Sequence, residues 1–271
     1  MFKDDLLKGK SILVTGGGTG LGLAMSHRFA RYGADIWIAG RRQEKLDEAK
    51  AELEKHGTSV GTVSCDIRDP ESGNAMLDTI WQDRPLDALV NNAAGNFAAP
   101  SESLSHRAVD AVLGTVLHGT AYVTLGCGQR WLKEERPGNV LSIVTTYAST
   151  GSGWVLPSAM GKAGVVAMTR SMAAGLARDN IRVNALCPGF VTTPHQAVLT
   201  EALEHRQIES LHLMGVLDAD DVAFRSSSWT LAERCQNSSS QIVNCLNVLF
   251  LAKPDRRLLV AAAPFIPKSG H

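Results

Sequence analysis

The sequence predicts a doubly wound α/β domain: a parallel sheet with helices on both faces. Three observations point to it. Short β-branched apolar runs alternate with longer amphipathic ones. The first run leads into a glycine-rich turn, TGGGTGLG at 15–22, that opens a helical pattern. The strand runs are apolar nearly throughout, as in sheets buried on both sides.

Six strands are expected in order at 11–15 (SILVT), 35–39 (DIWIA), 60–65, 86–91 (LDALVN), 139–144 (NVLSIV) and 181–186 (IRVNAL). Each is short and bounded by Gly, Asp or Asn. Between the first two, residues 20–32 place Leu21, Met25 and Phe29 at a four-residue step, one apolar stripe along a helix. Residues 43–56 are charged on one face, with Leu46, Ala49 and Leu53 on the other. The chain has 271 residues with no repeat and no low-complexity linker, which suits a single domain over 1–271.

Lys+Arg and Asp+Glu balance at 27 each, charged residues are 20% and hydrophobic ones 44%. That composition is globular and gives no reason to expect nucleic acid or an acidic membrane surface as partner. Cys65, Cys127, Cys187, Cys235 and Cys245 form no CxxC pair and no metal-spaced cluster with histidine, so reduced, buried thiols are expected, with no metal. The first ten residues, MFKDDLLKGK, lack an apolar signal region, no run reaches transmembrane length, and the final Lys268-Ser269-Gly270-His271 is not a peroxisomal tripeptide. A cytoplasmic location is the expectation.

The glycine turn carries the first chemistry. Gly16, Gly20 and Gly22 stand at G-x-x-x-G-x-G spacing, with Thr19 and Leu21 between them. A phosphate needs bare backbone N–H groups at close range, and a helix N-terminus adds partial positive charge. The end of the second strand selects the nucleotide. An acid there binds a ribose 2′-OH; here the chain reads Ala39-Gly40-Arg41-Arg42. Arginine offers a fork of donors and a permanent charge to a 2′-phosphate, which favours NADP over NAD and Arg41 over Arg42. The pair would also serve as an exposed helix start. Asp66, followed by Ile67, ends the third strand where it can meet an adenine edge or cap the next turn. Asn91-Asn92-Ala93-Ala94-Gly95 ends the fourth, and its small residues let the chain pass close to a nucleotide.

TGGGTGLG, NNAAG, LSIVTTY, Lys162 and the run Pro188-Gly189-Phe190-Val191-Thr192-Thr193 together resemble the short-chain dehydrogenase/reductase family, in order from about residue 8 to 195. The resemblance implies a single Rossmann-like domain that binds NAD(P), usually as a homotetramer. It implies that Asn91 supports the central sheet, that Asn92, Ala93, Ala94, Pro188 and Gly189 border the cofactor, and that Val191 and Thr193 lie near its nicotinamide amide and phosphates.

That family uses Tyr-x-x-x-Lys, with both side chains on one helix face. Here the pair is Ser158-x-x-x-Lys162, and a serine hydroxyl is a far weaker acid than a phenol. The nearest upstream tyrosine, Tyr147, precedes the lysine by fifteen positions and must arrive from the loop after the fifth strand. TTYASTGSGWVLPSAMGK at 145–162, NNAAGNFAAP at 91–100 and VLHGTAYVTL at 116–125 resemble the 2,4-dienoyl-CoA reductase branch. That resemblance implies a displaced tyrosine, Tyr147, bonded to a thioester oxygen, with Lys162 on the nicotinamide ribose and Ser158 beside them. Hydride adds to the far end of the diene, charge moves onto the thioester oxygen, and water supplies the proton. Where that resemblance leads one to expect an asparagine as second oxyanion donor, this chain has His118. Imidazole can donate one hydrogen bond or act as an acid, and a helix histidine without catalytic duty is equally compatible with the sequence.

The expected activity is NADPH-dependent reduction of a 2,4-dienoyl-CoA. An NADP(H)-dependent carbonyl reductase or hydroxyacyl dehydrogenase, and a catalytically silent nucleotide-binding or scaffolding protein, are the alternatives. Residues 195–271 depart from the family: no Asp-Gly-Gly turn follows Phe224, and only LLVAAAPFIP at 258–267 suggests a strand there. Acyl specificity is therefore unreadable from the sequence, and the expected homo-oligomer need not be the usual tetramer.

Overall fold

A computed structural model describes residues 4–189, 191–192, 217–220, 222–223, 226 and 248–250. Its centre is a seven-stranded, wholly parallel sheet. The strands are β1 (Ser11–Thr15), β2 (Asp35–Gly40), β3 (Val60–Ser64), β4 (Ala88–Asn91), β5 (Gly138–Ile143), β6 (Ile181–Cys187) and β9 (Val248–Phe250). They lie in the order β3-β2-β1-β4-β5-β6-β9, which reverses direction between β1 and β4. Ligands in such sheets bind outside the carboxyl ends of the strands at that switch point. A two-stranded parallel pair, β7 (Val191–Thr192) with β8 (Leu217–Asp218), lies apart from it.

Residue alternation explains why the strands read as apolar throughout. Ile12 and Val14 of β1, Ala88 and Val90 of β4, and Leu141 and Ile143 of β5 join one core layer with Met25, Phe29, Leu46 and Leu53. Leu13, Leu89 and Val140, one position out of phase, join the opposite layer with Met76, Leu77, Ile80, Val123 and Trp131. The helices supplying these partners are α1 (Gly20–Arg31) and α2 (Gln43–Leu53) on one face, and α3 (Pro70–Asp83) and α5 (Thr120–Lys133) on the other. The stripe expected on α1 is the buried one: Met25 and Phe29 are fully covered, and Leu21 packs on the same layer.

Several boundaries differ from expectation for local reasons. Strand β4 starts at Ala88 instead of 86, because Asp87 turns its carboxylate to the Ser11 N–H (2.8 Å) while the Trp131 indole donates to the Leu86 carbonyl (2.7 Å). The α2 pattern tightens into a 3₁₀ turn at Glu54–His56 and stops at Gly57, whose φ of 78° is a left-handed helix end that favours glycine. The seventh strand comes from Val248–Phe250, which the sequence reading passed over; residues 258–267, where a strand was expected, lie outside the described residues. Residues within 219–226 are helical where described, with Val222, Ala223 and Ser226 buried and the Ser226 hydroxyl donating to Val222 O (2.8 Å) and Met25 Sδ (3.2 Å).

A continuous helical stretch runs from α4 (His106–Leu113) through a π-helical turn at Gly114–Gly119 into α5. Contrary to the expectation that no run reaches transmembrane length, His106–Lys133 is long and apolar enough by length and composition to cross a membrane. In this fold α4 packs on the long helix α7 (Leu156–Leu176), and α5 packs on α3.

Candidate active site

The glycine turn is held against the switch point by side chains from both flanking strands. Thr15 Oγ1 accepts from the N–H groups of Asn92 and Ala93 (3.1 Å each), and Asn92 Nδ2 donates to the carbonyls of Thr15 (3.1 Å) and Gly16 (3.3 Å). Gly16 has φ +66° and Gly20 φ +54°. A Cβ at Gly22 would lie 2.3 Å from Gly16 O and 2.6 Å from Asn92 Nδ2, so only glycine fits where α1 meets the turn. Thr19 precedes α1 in extended conformation without a side-chain cap, and no acid stands in the first turn. Uncapped N–H groups with a positive dipole end suit a phosphate.

Arg41 and Arg42 follow β2 and are exposed, Arg42 at the start of α2. Asp66 lies close by, but its carboxylate is taken by Arg68, which donates its backbone N–H (3.1 Å) and Nε–H (2.9 Å). That hydrogen bonding, with Arg41 adding charge, holds Asp66 below the usual carboxylate range. Asp66 is thus a turn-forming acid as well as a nucleotide candidate. Ile67 is buried, Ala93 packs against the second core layer, and Ala94 is exposed. Past β6, Pro188 is buried, Gly189 half-buried, and Val191 joins the first core layer; Thr193 lies outside the described residues.

Behind this cradle, Asn91 Nδ2 donates to Thr124 Oγ1 (2.8 Å) and to Ser142 Oγ (3.2 Å), tying α5 to the middle of the sheet. Beside it stand the groups with reactive character. Tyr147 opens a four-residue helix, α6 (Tyr147–Thr150), directly after β5. Its hydroxyl meets Ser158 Oγ at 3.0 Å. Ser158 is the third residue of α7, only 2% exposed, so it neither caps the helix nor faces bulk water. Lys162, one turn on, is 6% exposed and donates to Ile143 O at 2.5 Å. Among the described residues that carbonyl is its hydrogen-bond acceptor, which leaves ammonium protons for a ligand's hydroxyls. Burial alone lowers the Lys162 pKa to about 8.

The geometry brings Tyr147 onto Ser158, one helical turn from Lys162, and the π-helical turn that carries His118 packs against the same helix α7. His118 sits in the π-helical turn, exposed, with its ring 6.2 Å from that of Tyr122. Two polar groups that the sequence did not single out follow strands β4 and β5 at the same edge of the sheet. Thr145 Oγ1, at the end of β5, and Asn96 Oδ1, in the loop after β4, are buried without a hydrogen-bond partner. The Asn96 loop is tied to the turn between α6 and α7 by Ala99 N–H to Trp154 O (2.9 Å) and Ser101 Oγ to Gly153 O (3.4 Å). Orphaned polar atoms are what a bound ligand satisfies. Nothing in spacing or composition marks them. Among the described residues, no group of three or more His, Cys, Asp or Glu side chains is arranged to hold a metal ion.

Residues 10–204 match the family described as short chain dehydrogenase. A Caenorhabditis elegans protein named as a 2,4-dienoyl-CoA reductase, (3E)-enoyl-CoA-producing, is 41% identical over 71% of this chain; the chain spans 63% of that relative's length. A Bacillus anthracis short chain dehydrogenase structure superimposes with a TM-score of 0.75 at 36% identity, covering 83% of this chain and 90% of that one. A Beutenbergia cavernae structure described as an NAD(P) dependent gluconate 5-dehydrogenase, with NADP bound at low occupancy, gives 0.78 at 29% identity over 84% and 91%.

Proposed function

The chain belongs to the short-chain dehydrogenase family of oxidoreductases, and within it we propose that it reduces a conjugated 2,4-dienoyl-CoA thioester with NADPH. The observation that carries the reading is the contact of Tyr147 Oη with Ser158 Oγ at 3.0 Å, one helical turn from Lys162. The phenol reaches Ser158, which holds the position of the family's tyrosine in the Tyr-x-x-x-Lys spacing, from the neighbouring helix α6.

The residues fit the cofactor class. The Gly16–Gly22 cradle excludes a Cβ where a phosphate would approach, and Lys162 has spare donors for ribose hydroxyls. Arg41 supports the 2′-phosphate of NADPH. When bound, the cofactor supplies a hydride. The protein's part is to hold the thioester oxygen and steady the charge that gathers there as the diene is reduced. The Tyr147 hydroxyl donates to that oxygen, Ser158 accepts or donates behind it, and the Lys162 ammonium keeps a positive charge one turn away. His118 is the second donor expected from the sequence, and its imidazole is exposed on the π-helical turn. Among the described residues Cys65, Cys127 and Cys187 are buried free thiols, which suits a reducing compartment.

One observation favours a second reading. A phenol bonded to a buried serine beside a lysine can also protonate a carbonyl oxygen, as a ketone reductase of this family would require. Following the dienoyl absorbance together with NADPH oxidation tests the first reading: one chromophore is lost per NADPH consumed. NADPH binding with no loss of the chromophore refutes it.

A further inference from the structure

We propose that His27 and His56 form a single-proton link between α1 and the end of α2, and that a second added proton opens it. His27 Nδ1 and His56 Nε2 are 3.0 Å apart, with the rings edge to face at 77° and 5.3 Å between centroids. At that distance one hydrogen lies between the nitrogens. The other side of His27 faces an acid: Nε2 is 3.4 Å from Glu52 Oε2. An imidazole donates its N–H toward a carboxylate, so His27 Nδ1 is the acceptor and His56 Nε2–H the donor.

The arrangement tolerates one added proton. With one added proton, one facing nitrogen still presents a lone pair to the N–H of the other, so the link survives. A second proton places an N–H on each facing nitrogen. No acceptor is left between two cationic rings 3.0 Å apart, and the rings must separate. The surrounding charges sharpen this. From α1, Arg31 acts on His56 with the same sign. Arg28 is engaged by Asp220 and Lys50 by Glu54, which leaves Glu52 as the acid paired with the histidines. Burial first, then His27 and Arg31, hold His56 below its ordinary 6.5.

A histidine whose folded pKa is depressed binds more protons when unfolded. Its contribution is intact above the unfolded value, 6.5, and is lost as pH falls below it. The link joins the helix that opens at the glycine cradle to the helix that starts at Arg42, so acid loosens the nucleotide-binding half of the fold. This holds whatever the substrate.

Thermal unfolding of the full chain between pH 5 and 8 tests the proposal, comparing the native protein with His56→Gln and His27→Gln. Glutamine at 56 keeps an N–H donor without a titrating ring. The three midpoints should run parallel above pH 7 and diverge below 6.5, the native protein falling most steeply. Curves that stay parallel to pH 5 overturn the proposal. Imidazole C–H NMR provides a second reading: His56 should titrate below 6.5 in the native chain and move up in His27→Gln. Two independent titrations near 6.5, unchanged by the substitution, overturn it as well.

Discussion

The glycine turn and the tyrosine–serine–lysine cluster lie along the same carboxyl edge of the sheet, but they are built in different ways. The cradle at 15–22 is fixed by backbone sterics: positive φ at Gly16 and Gly20, and no room for a Cβ at Gly22. The cluster is fixed by single side-chain bonds, Tyr147 to Ser158 and Lys162 to Ile143 O. Glycine turns resist change because any side chain collides. A hydroxyl cluster held by single bonds is lost when one of its residues is changed. Cofactor binding should therefore survive changes that abolish chemistry, and the reverse should be rare.

The largest break comes from Tyr147→Phe. Removing one oxyanion donor lowers turnover by roughly 10²–10³-fold, while NADPH affinity, measured by fluorescence titration, stays nearly native. Full activity in this variant would dismiss the displaced-tyrosine mechanism. Arg41→Ala acts on the other region. Losing a charged hydrogen bond to the 2′-phosphate costs about 1.5–3 kcal/mol, seen as a fall in NADPH affinity with NADH affinity unchanged. An unaltered NADPH/NADH ratio removes Arg41 from that role.

Gly22→Ala probes the cradle itself. Forcing a methyl against Gly16 O costs about 1–3 kcal/mol of stability by overpacking, and nucleotide affinity should fall with it. Native affinity in a folded Gly22→Ala protein would place the phosphates elsewhere. The smallest effect near neutrality is a pH limb from Lys162. Its pKa of about 8 lies below the ordinary 10.5, so burial destabilises the fold while the lysine is charged, and that penalty lifts between 8 and 10.5. The cation proposed to hold the ribose is lost over the same range. kcat/KM should fall above pH 8 as unfolding stability rises; a rate that keeps climbing to pH 10 contradicts the assignment.

The same contrast governs what the sequence revealed. Strand positions, helix stripes and the glycine turn were legible because alternation, the four-residue step and glycine spacing are local properties of the chain. Tyr147 was picked out as the tyrosine upstream of Lys162, but its meeting with Ser158 depends on where α6 turns, which eleven residues of spacing do not encode. Asn96 and Thr145 escaped notice because an unpartnered buried atom exists only once neighbours are in place. His118 stood out by its position before Gly119-Thr120, yet the π-helical turn carries it to the surface beside Tyr122. The strand at Val248–Phe250 follows a serine- and asparagine-rich stretch with no turn signature, and its place beside β6 comes from long-range pairing.

The most direct test of the account is kcat/KM for NADPH oxidation with a medium-chain 2,4-dienoyl-CoA beside a matched 3-ketoacyl-CoA. The account predicts turnover of the dienoyl thioester, lost in Tyr147→Phe, with the ketone left untouched. Turnover of the ketone alone would contradict it and make Tyr147 the acid of a carbonyl reductase.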